Sequence, residues 1–296
     1  MGRLLSLVED DDACLPDVMR ALAPGQSGAA IIALTGAPGV GKSTTTSALV
    51  GAYRRQGLRV GVLAVDPSSP FSGGALLGDR IRMSEHAADP GVFIRSMASR
   101  GHLGGVSRAT PQALRILDAA GFDIVLLETV GVGQSEVEVA GLADTTLVLV
   151  APGMGDGIQA VKAGILEVAD VLVVNKADRD GADATVRDLR HLIQLGDRSA
   201  LGLWRPRVIR AVANAAHGID DIVEAVAAHR QWLGVDGLRR RHLARAAGEI
   251  EALALESMRR RLAMRGALTR LAEEVVDGRL DPYAAASALT APGVEP

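Results

Sequence analysis

Gly36-Ala37-Pro38-Gly39-Val40-Gly41-Lys42-Ser43 is an eight-residue run of the form G-x-x-x-x-G-K-S. Its glycines let the backbone curl so that successive N–H groups face one centre, which suits phosphate oxygens. Lys42 is placed to reach β- and γ-phosphates, and the Ser43 hydroxyl suits Mg2+. Thr44 continues the polar start of the segment that follows. The run comes after the apolar AAIIALTG and opens KSTTTSALVGAYRRQG, so the positive end of a helix adds to the anion site.

Asn175-Lys176-Ala177-Asp178 follows the apolar VLVV. In an N-K-x-D turn the Asp178 carboxylate can accept from the ring imino N–H and the exocyclic amine of guanine. Adenine offers neither donor there, and a site built for those bonds penalises the wrong base. The stem of Lys176 can cover the base plane. GTP is therefore the expected nucleotide. In GTPases a Ser-Ala pair often follows the last core strand, where a backbone N–H meets the guanine carbonyl oxygen. Here that place is taken by Ala213-Asn214-Ala215.

Carboxylates end two further apolar runs. FDIVLLE ends at Glu128, where P-loop enzymes usually carry the Asp that holds the magnesium shell. Beyond it, Gly131 is a candidate γ-phosphate sensor through its backbone N–H, and Gln134 a candidate to position the attacking water, although a plain surface glutamine fits that position better. RVGVLAVD ends at Asp66 and runs into the glycine-rich PSSPFSGGALLGDRIRM, which holds Asp79. Both aspartates offer hard oxygen ligands suited to Mg2+, although Asp66 also fits the cap of a turn before Pro67. The glycines between them suit a switch loop ordered by Mg2+ and γ-phosphate. Two more loops, RSMASRGHLGGVSRAT with Arg95, Arg100, His102 and Arg108, and APGMGDGIQAVKAG with Asp156 and Lys162, follow other strands. One arginine of the former could meet phosphate or a partner; surface placement fits equally well.

These loops need strands to hold them. Strands are expected at 29–36, 59–66, 91–96, 122–128, 144–150, 171–176 and 207–212, with helices at 42–57, 110–121, 158–169, 184–195 and 219–233. Most of the strands are near-continuously apolar, the mark of a parallel sheet covered on both faces. The expected fold class is α/β, a doubly wound, mainly parallel P-loop NTPase domain with ligands at the carboxyl ends of the strands. It would span 30–233, after a short N-terminal helical segment at 1–29. From 234 to 296 the chain is rich in Arg, Ala, Leu and Glu, and Leu243, Ala247, Ile250, Ala254 and Met258 recur at helical spacing. That stripe must lie on the α/β domain or mate with a second copy. Asp281 and Pro282 start a last helix.

Composition narrows the function classes. With 296 residues, 48% hydrophobic and 23% charged, the chain is ordinary globular material, and 2% aromatic content leaves the core to Ala, Val, Leu and Ile. A net charge of −3 gives no electrostatic footprint for nucleic acid. One cysteine excludes an internal disulfide and a Cys-pair zinc site. With no secretory pattern and no apolar run long enough for a bilayer, a cytoplasmic protein without membrane attachment is expected.

GAPGVGKST, VDPSSPFSGGALLGDRIRM, RSMASRGHLGG, ETVGVGQSE, APGMGDGIQAVKAGILEVAD and VVNKAD together resemble the methylmalonyl-CoA mutase-associated GTPases, the MeaB/ArgK family of SIMIBI-class P-loop GTPases. The match runs nearly continuously from residue 30 to about 180. Ala37 separates the chain from the chromosome-partitioning ATPases, which carry a second lysine there. The resemblance implies a slow GTPase that binds GTP/GDP and works as a homodimer through its helical C-terminal arm. It implies a partner, an adenosylcobalamin-dependent acyl-CoA mutase, which such G-protein chaperones load, protect or rescue. The alternatives are a nickel-insertion GTPase, which would usually carry Cys/His metal sites, and a P-loop kinase or ATPase linked to amino-acid transport, which would need no guanine motif.

Overall fold

The computed structural model describes residues 1–25, 28–66, 83–98, 109–129, 135–153, 166–195, 203–264 and 266–290. Their contacts divide into two compact units, Met1–His242 and Leu243–Pro296. The first is built on a seven-stranded sheet. Its strands are β1 (Ala30–Thr35), β2 (Val60–Asp66), β3 (Val92–Ala98), β4 (Ile124–Thr129), β5 (Thr145–Val150), β6 (Val171–Val174) and β7 (Arg207–Arg210). They lie in the order β3-β2-β4-β1-β5-β6-β7, and every pairing is parallel. β1, β4, β5 and β6 are buried along their whole length, which is why their sequences do not alternate.

Two apolar layers sandwich the central strands. Ile32 and Leu34 of β1 face one layer with Leu49 and Tyr53 of α3 (Lys42–Arg55) and Ile222 and Val226 from α7 (Ile219–Met264). Ile31 and Ala33 face the other, with Leu114 and Leu117 of α4 (Thr110–Ala119) and with Leu5 and Val8 of α1 (Gly2–Glu9) and Leu15 of α2 (Leu15–Leu22). The two N-terminal helices are thus part of the sheet's cover. Fully burying each such side chain is worth about 1.5–3 kcal/mol. α6 (Ala182–Leu195) covers β6 with Val186 and Leu189. α5 (Ser135–Leu142), between β4 and β5, is a helix that the hydrophobic pattern does not announce. Of the segment expected to be helical at 158–169, Leu166–Val168 forms a helical turn and 158–165 lie outside the described residues.

Arg95 meets protein, not phosphate: it bonds Glu9 and the Ser6 hydroxyl, tying β3 to α1. Arg100, His102 and Arg108 lie outside the described residues, as do Asp156 and Lys162.

The amino ends of β5 and β6 carry a charged cluster. Asp144 takes the Ile31 N–H at 3.0 Å and Asp170 takes the Thr146 N–H at 2.9 Å, each replacing a strand carbonyl. Both carboxylates are buried, so they need cations. Arg241 holds both oxygens of Asp170 at 3.0 and 2.9 Å and also bonds the Asp144 carbonyl, while Arg230 and His242 reach the Asp144 carboxylate. Arg230 precedes and Arg241 follows Gly234, where α7 departs from helical geometry at φ 58°, ψ −170°. His229 sits fully buried among them, 3.2 Å from Asp170 and 4.9 Å, ring to ring, from Trp204.

In the second unit α7 continues from Leu243 and is followed by α8 (Ala267–Val276) and α9 (Pro282–Thr290). Asp281 caps α9, accepting the N–H groups of Tyr283 and Ala284 at 2.8 and 3.0 Å. No helix among the described residues is long and apolar enough to cross a membrane.

Burial pushes His229 down to about 4, against the pull of Asp170. Between that value and the ordinary one of 6.5 the unfolded chain binds a proton that the folded chain refuses, so stability rises with pH. Lowering the pH from 7 to 5 should therefore lower the urea midpoint. His229→Gln should reduce that pH dependence; an unchanged slope would contradict this.

Candidate nucleotide site

The P-loop leaves β1, the central strand, and turns into α3 between β4 on one side and β5 on the other. Close approach of neighbouring atoms, together with positive φ, dictates two of its glycines. Gly36 has φ +140°, and a Cβ there would lie 2.2 Å from the Leu149 carbonyl oxygen. Gly41 has φ +95°, and a Cβ there would lie 2.4 Å from the Asn175 amide nitrogen. No L side chain fits either place.

Lys42 is buried and donates to the carbonyls of Gly36 and Ala37 at 2.8 and 3.2 Å, which folds it back over the loop that would cradle phosphate. Pro38 and Gly39 form the crest of the loop, and Lys176 donates to the Gly39 carbonyl at 2.6 Å. Ser43 points the other way, giving its proton to Glu128 Oε1 at 2.6 Å. Thr46, one turn further along α3, donates to Glu128 Oε2 at 2.8 Å. Thr44 lies exposed on the first turn.

The guanine-type turn follows β6. Asn175 is buried and spans three loops: its amide donates to the Val40 carbonyl at 2.8 Å, and its oxygen accepts the Ala213 N–H at 3.1 Å. Lys176 adopts φ 56°, which reverses the chain, and the Ala177 N–H closes on the Ala211 carbonyl at 3.0 Å. Asp178 is exposed beyond it, and Asn214 and Ala215 are exposed in the short 3-10 turn Ala213–Ala215. Arg210 bonds Asp183 at 2.6 Å, bracing this rim.

Asp66 is the last residue of β2 and follows Val65, which pairs with Thr129 of neighbouring β4, so the backbone brings it to the same edge as Glu128. Asp79, Gly131 and Gln134 lie outside the described residues. The structure thus gathers Gly36 to Thr44, Glu128, Asn175 to Asp178 and Ala213 to Ala215 at the carboxyl edge of one sheet. Sequence reading missed Thr46, although the GKSTTT run that contains it was in view. It also missed the cluster around Asp144 and Asp170, whose members are scattered along the chain.

A parallel sheet in this strand order, with a glycine loop on the central strand and an N-K-x-D turn two strands away, defines a P-loop GTPase. The family model described as "Methylmalonyl Co-A mutase-associated GTPase MeaB" matches residues 1–267, and the chain belongs to that family. A Pyrococcus abyssi protein carrying a GTPase name is 43% identical over 290 residues, 96% of this chain and 90% of its own. The GTPase ArgK of Escherichia coli is 39% identical over 248 residues, 80% and 73% of the two chains. A mouse protein named methylmalonic aciduria type A homolog, mitochondrial, is 37% identical over 270 residues, covering 87% of this chain and 64% of its own. A crystal structure described as an LAO/AO transport system kinase superposes with TM-score 0.72 at 27% identity, covering 98% of this chain and 91% of that one. A hydrogenase maturation factor HypB from Archaeoglobus fulgidus shares the fold, at TM-score 0.52 and 16% identity.

Asn175→Ala removes the partners of the Val40 carbonyl and the Ala213 N–H. Each buried group so stranded costs about 1–3 kcal/mol. Urea unfolding should register that loss, together with weaker nucleotide binding. A stability change under about 0.5 kcal/mol, the size of an ordinary surface substitution, would contradict the brace.

Proposed function

We propose that this GTPase is a G-protein chaperone for an adenosylcobalamin-dependent acyl-CoA mutase, methylmalonyl-CoA mutase in the first place, assisting cofactor loading, protection or reactivation. The nucleotide part of the reading rests on one observation: Asn175 ties the N-K-A-D turn to the P-loop crest, so the base and phosphate sites share one rigid edge. The partner part rests on the family description and on the mouse relative's name.

GTP and GDP would lie across this edge. Backbone N–H groups of Gly39, Gly41 and Lys42 would face the phosphates, and Lys42 would exchange the Gly36 and Ala37 carbonyls for phosphate oxygens. Asp178 selects guanine, Lys176 covers the base, and the Ala213-Asn214-Ala215 turn borders its carbonyl edge. The Ser43 hydroxyl and the Glu128 carboxylate, 2.6 Å apart, are hard oxygen donors of the kind Mg2+ takes, so the residues present fit that ion. Asp66 and, by sequence, Asp79 complete the candidate set. Bound there, Mg2+ would neutralise charge on the β- and γ-phosphates. Hydrolysis is water attack on the γ-phosphorus with the bond to the β-phosphate bridge oxygen breaking. Lys42 stabilises the charge, and by sequence Gly131 senses the γ-phosphate while Gln134 positions the water.

We also propose a cytoplasmic homodimer. Leu243, Ile250 and Met258 are 58%, 68% and 63% exposed in the single chain, a row of large apolar side chains that a second copy would cover.

The test is GTP and ATP turnover with Mg2+, with and without a cobalamin-dependent mutase, on a sample whose mass is read by light scattering. Slow GTP-selective turnover from a dimer, raised by the mutase and lost in Lys42→Ala, is expected. Turnover indifferent to the mutase would discard the chaperone role, preference for ATP would discard the reading of Asp178, and a monomer would discard the arm.

A further inference from the structure

Glu128 carries one methylene more than the aspartate usual at this place. The extra bond gives the carboxylate more rotamers to lose, and an untethered glutamate would not hold one oxygen on Ser43. The structure supplies a second tether. Ser43 and Thr46 are three residues apart on α3 and so share a face. They take the two oxygens of the same carboxylate, Oε1 at 2.6 Å and Oε2 at 2.8 Å. Thr46 is fully buried and Glu128 is 3% exposed, so the pairing is made away from water. The Thr46 hydroxyl also lies 3.1 Å from the Lys42 carbonyl, its own i−4 position on the helix. It has one proton, and the carboxylate oxygen is the closer acceptor.

We propose that Thr46 is a positioning residue for the metal–nucleotide complex: through Oε2 it fixes the rotamer of Glu128, and through Glu128 it aims the Ser43 hydroxyl. It touches neither nucleotide nor ion. The length of Glu128 and the hydroxyl of Thr46 act as one device, the first carrying the carboxylate far enough along α3 to meet the second. Removing the hydroxyl takes away the bond that holds Oε2 against α3 and loosens the aim of the carboxylate that Ser43 meets. This rests on the Mg2+ reading above, and the experiment separates the two.

The full-length chain is titrated with a fluorescent GDP analogue over a range of Mg2+ concentrations and again in EDTA. Thr46→Val should raise the Mg2+ concentration at half effect by about 10–100-fold, the usual cost of losing a partner that orients a metal ligand. Binding in EDTA should be unchanged, and Thr46→Ser, which keeps the hydroxyl, should restore the wild-type midpoint. Thr46→Ala replaces the valine variant if circular dichroism shows that the latter does not fold. An unchanged Mg2+ midpoint in the folded variant overturns the proposal. So does an equal loss of affinity in EDTA, which would make Thr46 a packing residue of α3. Wild-type binding indifferent to Mg2+ would instead overturn the Mg2+ reading itself.

Discussion

The Asn175 side chain is the interaction on which the nucleotide edge depends. Its two polar atoms satisfy the Val40 carbonyl and the Ala213 N–H, and these belong to the loops after β1 and β7. Phosphate and base sites come from segments more than a hundred residues apart in sequence. Without a fixed link the distance between them would drift with every loop motion, and a nucleotide would have to order both at its own cost. The link also dictates sequence elsewhere. Gly41 must be glycine because a Cβ would strike the Asn175 amide nitrogen, and Lys176 turns left-handed in the very next residue. One buried amide thereby links the P-loop, the N-K-A-D turn and the turn at Ala213.

The sheet under these loops is held from its opposite end. Ile31 and Asp144 exchange two bonds, the Ile31 N–H to the carboxylate and the Asp144 N–H to the Ile31 carbonyl at 2.8 Å. Arg230 and Arg241 neutralise the buried carboxylates, and together with His242 they join α7 to the starts of β5 and β6. Burying charge is costly, and a cluster this well bonded holds its members in one arrangement more than it adds stability. Apolar layers between the two ends resist shear, so the carboxyl edge is a fixed platform.

Most of the fold was legible because its strands are buried on both faces. AAIIALT, VGVLAV, IVLLE, TTLVLV and VLVV carry no alternation, and only a covered parallel sheet asks for that. α5 escaped because Glu136, Val137, Glu138 and Val139 alternate with the period of a strand and show no helical stripe. The N-terminal helices read as a lead-in, since nothing local says that Leu5, Val8 and Leu15 enter the core of the sheet. In the site, motif spacing named the candidate phosphate and base residues, and the structure gathers the described ones at one edge of the sheet. Thr46 had no such mark, because its role exists only when β4 lies beside α3. The cluster at Asp144 and Asp170 was unreadable for the same reason: its partners come from a helix about 70 to 100 residues away.

The central claim is that this edge reads guanine while it holds phosphate. Calorimetric titration of the nucleotide-free chain with GDP and then with ADP in the same Mg2+ buffer tests it most directly. A site whose polar groups go unpaired with the wrong base should favour GDP by roughly a hundredfold or more. Equal affinities would mean that the phosphates alone carry binding, and the reading of Asp178 and of the Asn175 link would fall together.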